Sequence, residues 1–126
     1  MTPECLYLLI GLFKALFATI VIETFVATFW LERSPRLMTV VIVANVLTNP
    51  ALNLLVRNLP DAFFATDMRY YSMVGALEAV VWALEATIFY RFGGILSWRR
   101  ALLFSLSLNG ASFLSGFPLA ALGYWG

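Results

Sequence analysis

The sequence predicts an all-α integral membrane protein, folded as a four-helix transmembrane bundle. Hydrophobic residues make up 62% of the 126 residues, charged residues make up 12%, and the mean hydropathy is +0.88. A soluble domain is typically about half apolar and about a quarter charged. The chain contains four apolar runs long enough, at about 1.5 Å per helical residue, to cross a hydrocarbon core of about 30 Å. The alternating pattern of membrane β-strands is missing, so we expect the spans to be helical.

Short polar segments separate the four apolar runs. Thr2 and Pro3 begin the first run as a capping hydroxyl followed by proline at the first helical position. Charged residues with proline or glycine at 32–36, 57–61 and 91–94 end the first three runs. The predicted spans are about 4–32, 37–56, 71–90 and 101–124, within a single transmembrane domain of residues 1–126.

Lysine and arginine predict the orientation of the spans, because short cytoplasmic loops carry an excess of these residues. The basic residues of the second loop are balanced by aspartates, whereas the first and third loops have an excess of arginine. We therefore expect the first and third loops on the cytoplasmic side and both termini on the opposite side. The arginines that support this orientation are Arg33, Arg36, Arg91, Arg99 and Arg100.

The composition also excludes several classes of function. The chain has no histidine and a single cysteine, Cys5, so the usual ligand sets for zinc, haem, iron–sulfur clusters and copper are missing. We therefore predict no cofactor and no metal site. A formal net charge of +1 gives no reason to expect nucleic acid as a partner. Nucleophile motifs and paired intramembrane aspartates are missing, so an intramembrane enzyme would have to use a glutamate-based mechanism. We assign no catalytic residue.

Acidic residues inside the predicted spans are the strongest functional signal. Glu23 lies in the first span, and Glu78 and Glu85 lie one heptad apart on nearly the same face of the third. A carboxyl group in hydrocarbon costs several kcal/mol unless something receives it, so such residues indicate a functional site. Lys14 is out of phase with Glu23, and we expect it to reach outward or, less favourably, to pair with Glu78. The acids must then be protonated, hydrogen-bonded, hydrated or bound to a cation.

Amide and hydroxyl side chains on the second and fourth spans are candidate hydrogen-bond partners for these acids. They recur at three- and four-residue spacing and so share one face of each helix. We expect them to form a ligand- or ion-binding site with the glutamates. The alternative is that they are ordinary hydrogen-bonding contacts between membrane helices. The candidate site residues are Glu23, Asn45, Thr48, Asn49, Glu78, Glu85, Asn109 and Ser112.

The first and second pairs of spans share a polar pattern. An asparagine follows Glu23 by 22 residues and Glu85 by 24 residues, at Asn45 and Asn109, and a hydroxyl residue follows each asparagine by three. The pattern suggests two parallel helix-pair repeats, related by an axis along the membrane normal. The alternative is a chance likeness, since identities elsewhere in the two halves are few.

A ridge of small residues runs along the third span at Gly75, Ala79 and Ala83. Small side chains let membrane helices approach each other closely. We therefore expect this ridge to pack against a neighbouring helix.

The sequence favours a cation- or proton-coupled transporter or channel whose exchangeable charges are Glu23 and Glu85. Its expected partners are membrane lipids and a small cation or proton. Because four short helices enclose little volume, we expect a homo-oligomer or a place in a larger membrane complex. The alternative function is a non-catalytic membrane subunit or assembly factor, in which the polar groups hold helices or a partner together.

Overall fold

Residues 1–30 and 34–124, which the computed structural model describes, form four long α-helices and one short 3₁₀ helix at Asp61–Phe64. Each α-helix is long and apolar enough to cross a membrane, as expected of a multi-pass membrane protein. The prediction of an all-helical chain with four such helices is therefore confirmed. The predicted end of the first span at residues 31–32 and the orienting Arg33 lie outside the described residues. The helices are α1 Pro3–Ala27, α2 Pro35–Arg57, α3 Asp67–Phe92 and α4 Trp98–Ala121.

A hydroxyl side chain caps the start of each of these helices. The capping oxygen accepts a hydrogen bond from the backbone N–H three residues further along, which has no partner inside the helix. The caps are Thr2, Ser34, Thr66 and Ser97. Because the polar first turns precede the apolar runs, α3 and α4 begin before the spans predicted from residues 71 and 101.

The helices α1 to α4 pack as a ring in chain order. Within the described residues, each helix contacts the one before and the one after it, and α4 closes the ring against α1. The short connections make consecutive helices antiparallel. The first and third loops therefore lie at one end of the ring, which we call the closed end. The second loop and both chain termini lie at the opposite end, which we call the open end.

Apolar side chains fill the closed end of the ring. The ring of Phe104 meets Trp30 and Phe89 edge-on, with centroids 5.2 Å apart in both cases. These aromatic rings pack with a cluster of buried side chains that we call the apolar plug. The plug consists of Ala27, Leu37, Val41, Ala44, Phe89, Ile95, Ala101, Phe104 and Leu108.

Close backbone contacts accompany the plug at the turn after α3. A Cβ atom on Gly93 would lie 2.6 Å from the carbonyl oxygen of Phe89 and 2.8 Å from Leu37 Cδ1. The Nε of Arg36 donates to the carbonyl oxygen of Phe92 at 2.6 Å. Gly94 follows with φ +79°, a left-handed conformation that glycine adopts without steric cost. The closed end is therefore tightly packed in both its side chains and its backbone.

Within residues 1–30 and 34–124, the small-residue ridge on α3 does not pack against another helix. A Cβ atom on Gly75 would meet nothing within 4 Å, and Ala79 and Ala83 are exposed. The helix instead turns a different face inward, on which Glu85 and Phe89 are buried. The ridge therefore borders an outward-facing groove.

Candidate functional site

Polar side chains from α1, α2, α3 and α4 converge on a cavity of about 170 Å³. Its innermost side chains are Glu23, Asn45 and Glu85, which are 0%, 1% and 1% exposed. These residues lie just beyond the apolar plug, so the cavity ends where the plug begins. All eight residues singled out from the sequence line it: Glu23, Asn45, Thr48, Asn49, Glu78, Glu85, Asn109 and Ser112.

Glu23 connects α1 to two neighbouring helices. Its Oε2 accepts a hydrogen bond from Asn45 Nδ2 on α2 at 2.6 Å. Its Oε1 accepts one from Ser112 Oγ on α4 at 3.2 Å. Both oxygens of this buried carboxyl group therefore have an uncharged partner, one from each side of α1.

Glu85 makes the corresponding contacts from α3. Its Oε2 accepts a hydrogen bond from Asn109 Nδ2 on α4 at 2.8 Å. Its Oε1 lies 2.7 Å from Thr48 Oγ1 on α2. Each glutamate thus contacts the asparagine of its own helix pair and a hydroxyl group of the other pair. The contacts form a closed ring of polar groups that passes through all four α-helices.

The asparagine amides are held in position by their own helices. The second N–H of Asn45 donates to the carbonyl oxygen of Val41 at 3.0 Å, and that of Asn109 donates to the carbonyl oxygen of Ser105 at 2.9 Å. An amide nitrogen has two hydrogens, so each amide uses one on its helix and one on a glutamate. The amides therefore present fixed donors to the carboxyl groups.

Thr48 has two acceptors for a single hydroxyl hydrogen. Its Oγ1 lies 2.9 Å from the carbonyl oxygen of Ala44 and 2.7 Å from Glu85 Oε1. If the hydroxyl donates to Ala44, the short contact with Glu85 requires a proton on the carboxyl group. If the hydroxyl donates to Glu85, the carboxyl group can be ionised. The geometry therefore accommodates two states of Glu85 that differ by one proton.

Further polar groups line the cavity on the open-end side. Asn49 Nδ2 donates to Thr19 Oγ1 at 3.1 Å, and Asn53 Nδ2 donates to the carbonyl oxygen of Asn49 at 2.9 Å. Glu78 is half-buried there, and no group within residues 1–30 and 34–124 hydrogen-bonds to its carboxylate. The four-residue spacing of Asn45, Asn49 and Asn53 placed Asn53 on the polar face of the second span, whereas sequence reasoning missed Thr19. The four-residue spacing of Thr19 from Glu23 was the signal that could have found it.

The nearest basic side chain along α1 is engaged elsewhere. Lys14 Nζ donates to the carbonyl oxygen of Tyr124 at 3.1 Å, and Tyr124 Oη donates back to the carbonyl oxygen of Lys14 at 2.7 Å. The part of the chain that the structure describes contains no group of three or more His, Cys, Asp or Glu that could hold a metal ion. The hydrogen-bond donors to Glu23 and Glu85 are amides and hydroxyls.

Comparison of the chain with protein-family models, with curated proteins and with solved structures finds no match.

Proposed function

We propose that the protein spans a membrane through α1 to α4 and is a cation- or proton-coupled transporter or channel. The observation that carries the proposal is that Glu23 and Glu85 line one cavity and are hydrogen-bonded there by neutral groups. Two ionised carboxylates in such a low-dielectric site would repel each other and lack compensation. A proton or cation taken up from water supplies that compensation.

The chemistry of the site suits a proton or a hard cation. Carboxylate and hydroxyl oxygens bind protons and hard cations, whereas soft metals prefer sulfur. The alternative hydrogen-bond arrangements at Thr48 support exchange at Glu85, because they let the site gain or lose a proton without rebuilding its contacts. We therefore assign Glu23 and Glu85 as exchangeable charges and Asn45 and Asn109 as orienting ligands.

The uneven packing of the bundle favours transport by alternating access. The polar groups between the glutamates and the open end are half-buried, whereas the apolar plug fills the closed end. A permanently open channel would need a continuous wet path through that plug. In the orientation that the arginines favour, the cavity opens to the non-cytoplasmic side and the plug lies on the cytoplasmic side. Transport then requires a second conformation in which the plug separates.

The exchanged contacts of the glutamates support two parallel helix-pair repeats. Glu23 reaches from the first pair to Ser112, and Glu85 reaches from the second pair to Thr48. A pseudo-twofold axis along the bundle would interchange these two contacts. Such an axis is common in transporters built from parallel repeats, where the site lies at the repeat interface. Membrane lipids would cover the outer apolar side chains, and a homo-oligomer remains part of the proposal because a single ring encloses little volume.

A second candidate function is a membrane subunit or assembly factor without transport activity. The observation that favours it is that all four carboxyl oxygens of Glu23 and Glu85 have hydrogen-bond partners. Satisfied polar side chains of this kind also hold membrane helices together without exchanging anything.

Proton flux in liposomes separates the two functions. Purified protein is reconstituted with an internal pH-sensitive dye, and flux is followed after a pH step with and without sodium or potassium. Glu23→Gln and Glu85→Gln keep the shape and hydrogen bonding of the acids but remove the exchangeable charge. A transporter loses flux in both variants and keeps it in Glu4→Gln, whose glutamate is exposed in the first turn of α1. If the wild-type protein shows no flux that depends on the glutamates, the transport proposal fails and the function as a subunit or assembly factor remains.

A further inference from the structure

A second cavity, of about 390 Å³, lies between α3 and α4 on the outer surface of the bundle. We call it the α3–α4 groove. Its depth comes from missing side chains, because a Cβ atom on Gly75 or on Gly110 would meet nothing within 4 Å. Aromatic rings of Trp82 and Phe113 contribute to its lining. The volume falls within the range of about 300–1,000 Å³ that is usual for small-molecule sites.

The Trp82 side of the groove is held rigidly. Trp82 Nε1 donates to the carbonyl oxygen of Leu102 at 2.9 Å, and Ser105 Oγ donates to the carbonyl oxygen of Trp82 at 2.9 Å. The polar atoms of this residue are therefore bonded to α4. The ring is left to present apolar and π surface to the groove.

The groove and the polar cavity meet at shared side chains. Glu78, Asn109 and Phe113 line both of them. Asn109 in turn donates to Glu85 at 2.8 Å. An apolar path from the outer surface of the bundle therefore ends at a carboxylate that has no hydrogen-bond partner within residues 1–30 and 34–124.

We propose that the α3–α4 groove binds an amphiphilic monocation of the alkylammonium class. Its apolar part lies in the groove along Gly75, Gly110 and Trp82, and its charged head lies at Glu78. The inference rests on the proposed function and names the substrate class of the same site. An ammonium head bound at Glu78 places a positive charge near Glu85. This charge favours the ionised form of the cavity, so binding of the head is coupled to release of a proton.

Charge complementarity selects this occupant over other fillings of the groove. A carboxylate at the inner end favours a cationic head over the acyl chain of a neutral lipid, which gains nothing from it. A second copy of the chain packed into the groove would cover Glu78 with apolar surface and leave its charge uncompensated. Trp82 and Phe113 line the same groove as Glu78, and such rings attract an ammonium group by cation–π interaction.

The test measures binding of octyltrimethylammonium to the full chain in galactolipid nanodiscs, whose lipid has no ammonium group, by equilibrium dialysis against empty nanodiscs. Octyl sulfate, with the same chain length and the opposite charge, is the probe control. Glu78→Gln removes the charge, and Gly75→Leu and Gly110→Leu fill the groove. Gly116→Leu is the matched variant, because Gly116 is on α4 outside the groove lining and its Cβ would also meet nothing within 4 Å. Circular dichroism and size-exclusion chromatography establish that each variant is folded.

We expect each of the three groove variants to weaken octyltrimethylammonium binding by about tenfold or more, since a lost charge contact or a blocked pocket has that order of effect. Gly116→Leu should stay within about twofold of the wild type. Equal binding of octyl sulfate, or binding that Glu78→Gln leaves unchanged, would mean an apolar lipid site and would overturn the proposal. The proposal would also be overturned by a Gly110→Leu variant that binds octyltrimethylammonium as the wild type does but changes from oligomer to monomer. That result would identify the groove as an interface between copies of the chain.

Proton flux, measured in liposomes with the same variants, distinguishes failure of this proposal from failure of the proposed function. If Glu23-dependent flux persists while octyltrimethylammonium fails to bind, the substrate class is wrong and proton or cation exchange stands. If the alkylammonium binds with the expected dependence on Glu78 and Gly110 but no glutamate-dependent flux exists, the binding site stands and transport fails.

Discussion

Asn45 and Thr48 lie one helical turn apart on α2, and their side chains bind different glutamates. Asn45 Nδ2 is 2.6 Å from Glu23 on α1, and Thr48 Oγ1 is 2.7 Å from Glu85 on α3. The helix α4 divides its amide and hydroxyl groups between the same two glutamates in the opposite sense. Each glutamate is therefore hydrogen-bonded to both α2 and α4, and the two helices are shared between the two acids.

Removal of the Thr48 hydroxyl should weaken the link between α2 and α3. Thr48→Val keeps the shape of the side chain but leaves Glu85 Oε1 without this partner. We expect the free energy of unfolding to fall by about 0.5–1.7 kcal/mol, the range measured for polar contacts between membrane helices. Thr48→Ser is the control and should stay close to wild type. A double-mutant cycle with Glu85→Ala, which removes the acceptor, checks the prediction in detergent unfolding, and additive effects would contradict a direct contact.

Loss of the Asn45 amide should destabilise the bundle more than loss of an exposed amide. Asn45→Ala leaves Glu23 Oε2 buried without its donor, and a buried unsatisfied polar group costs about 1–3 kcal/mol. Asn58 is the matched control, because its Nδ2 also donates to the carbonyl four residues back, that of Leu54, but it is exposed. Denaturant titration of both variants measures the difference. Equal losses would mean that the contact with Glu23 contributes nothing.

Truncation of the apolar plug should destabilise the protein strongly. Phe104 is 1% exposed and contacts Trp30 and Phe89, so Phe104→Ala should lower the free energy of unfolding by about 3–5 kcal/mol. Phe117→Ala removes a ring of the same size that is 66% exposed and should change stability by under about 1 kcal/mol. Thermal unfolding in nanodiscs compares the two. Similar shifts in both variants would contradict a packed closed end.

Glycine substitutions should have opposite effects at the closed end and in the α3–α4 groove. Gly93→Ala places a Cβ atom 2.6 Å from the carbonyl oxygen of Phe89 and should destabilise the bundle by about 1–3 kcal/mol. Gly110→Ala adds a methyl group where nothing lies within 4 Å, and it should be neutral or stabilise α4 by up to about 1 kcal/mol. Melting temperatures of the two variants report the difference. A destabilised Gly110→Ala would show that the groove is filled by packing in the native state.

The sequence predicted the helices because each apolar run is long enough to span a membrane. Sequence reasoning recognised only the cap at Thr2, and the structure adds the caps at Ser34, Thr66 and Ser97. It also indicated the polar faces of α2 and α4, since Asn45 and Asn49 on α2, and Asn109 and Ser112 on α4, recur at helical spacing. The spacing could not indicate which neighbour each face meets. The cross-pair contact of Glu23 with Ser112 depends on the ring order of the helices, which no local pattern encodes.

The uneven packing along the bundle was also beyond sequence reasoning. Small residues favour close helix contact, so Gly75 and its neighbours were expected at an interface. The inward face of α3 is instead the one that carries Glu85 and Phe89, and the ridge was left to form the groove. Packing against α2 and α4 outweighed the local preference, because a helix can turn only one of its faces toward the ring.

Infrared difference spectroscopy of the protein in nanodiscs measures most directly whether Glu23 and Glu85 exchange a proton or cation with water. Above about pH 6, where exposed carboxyl groups are largely ionised, the carbonyl band of protonated carboxyl groups should lose intensity reversibly as the pH rises. Part of that change should disappear in Glu23→Gln and part in Glu85→Gln, whereas Glu4→Gln should leave it unchanged. A carbonyl band that neither pH nor added sodium or potassium changes, throughout the range in which the fold is intact, would contradict an exchangeable site.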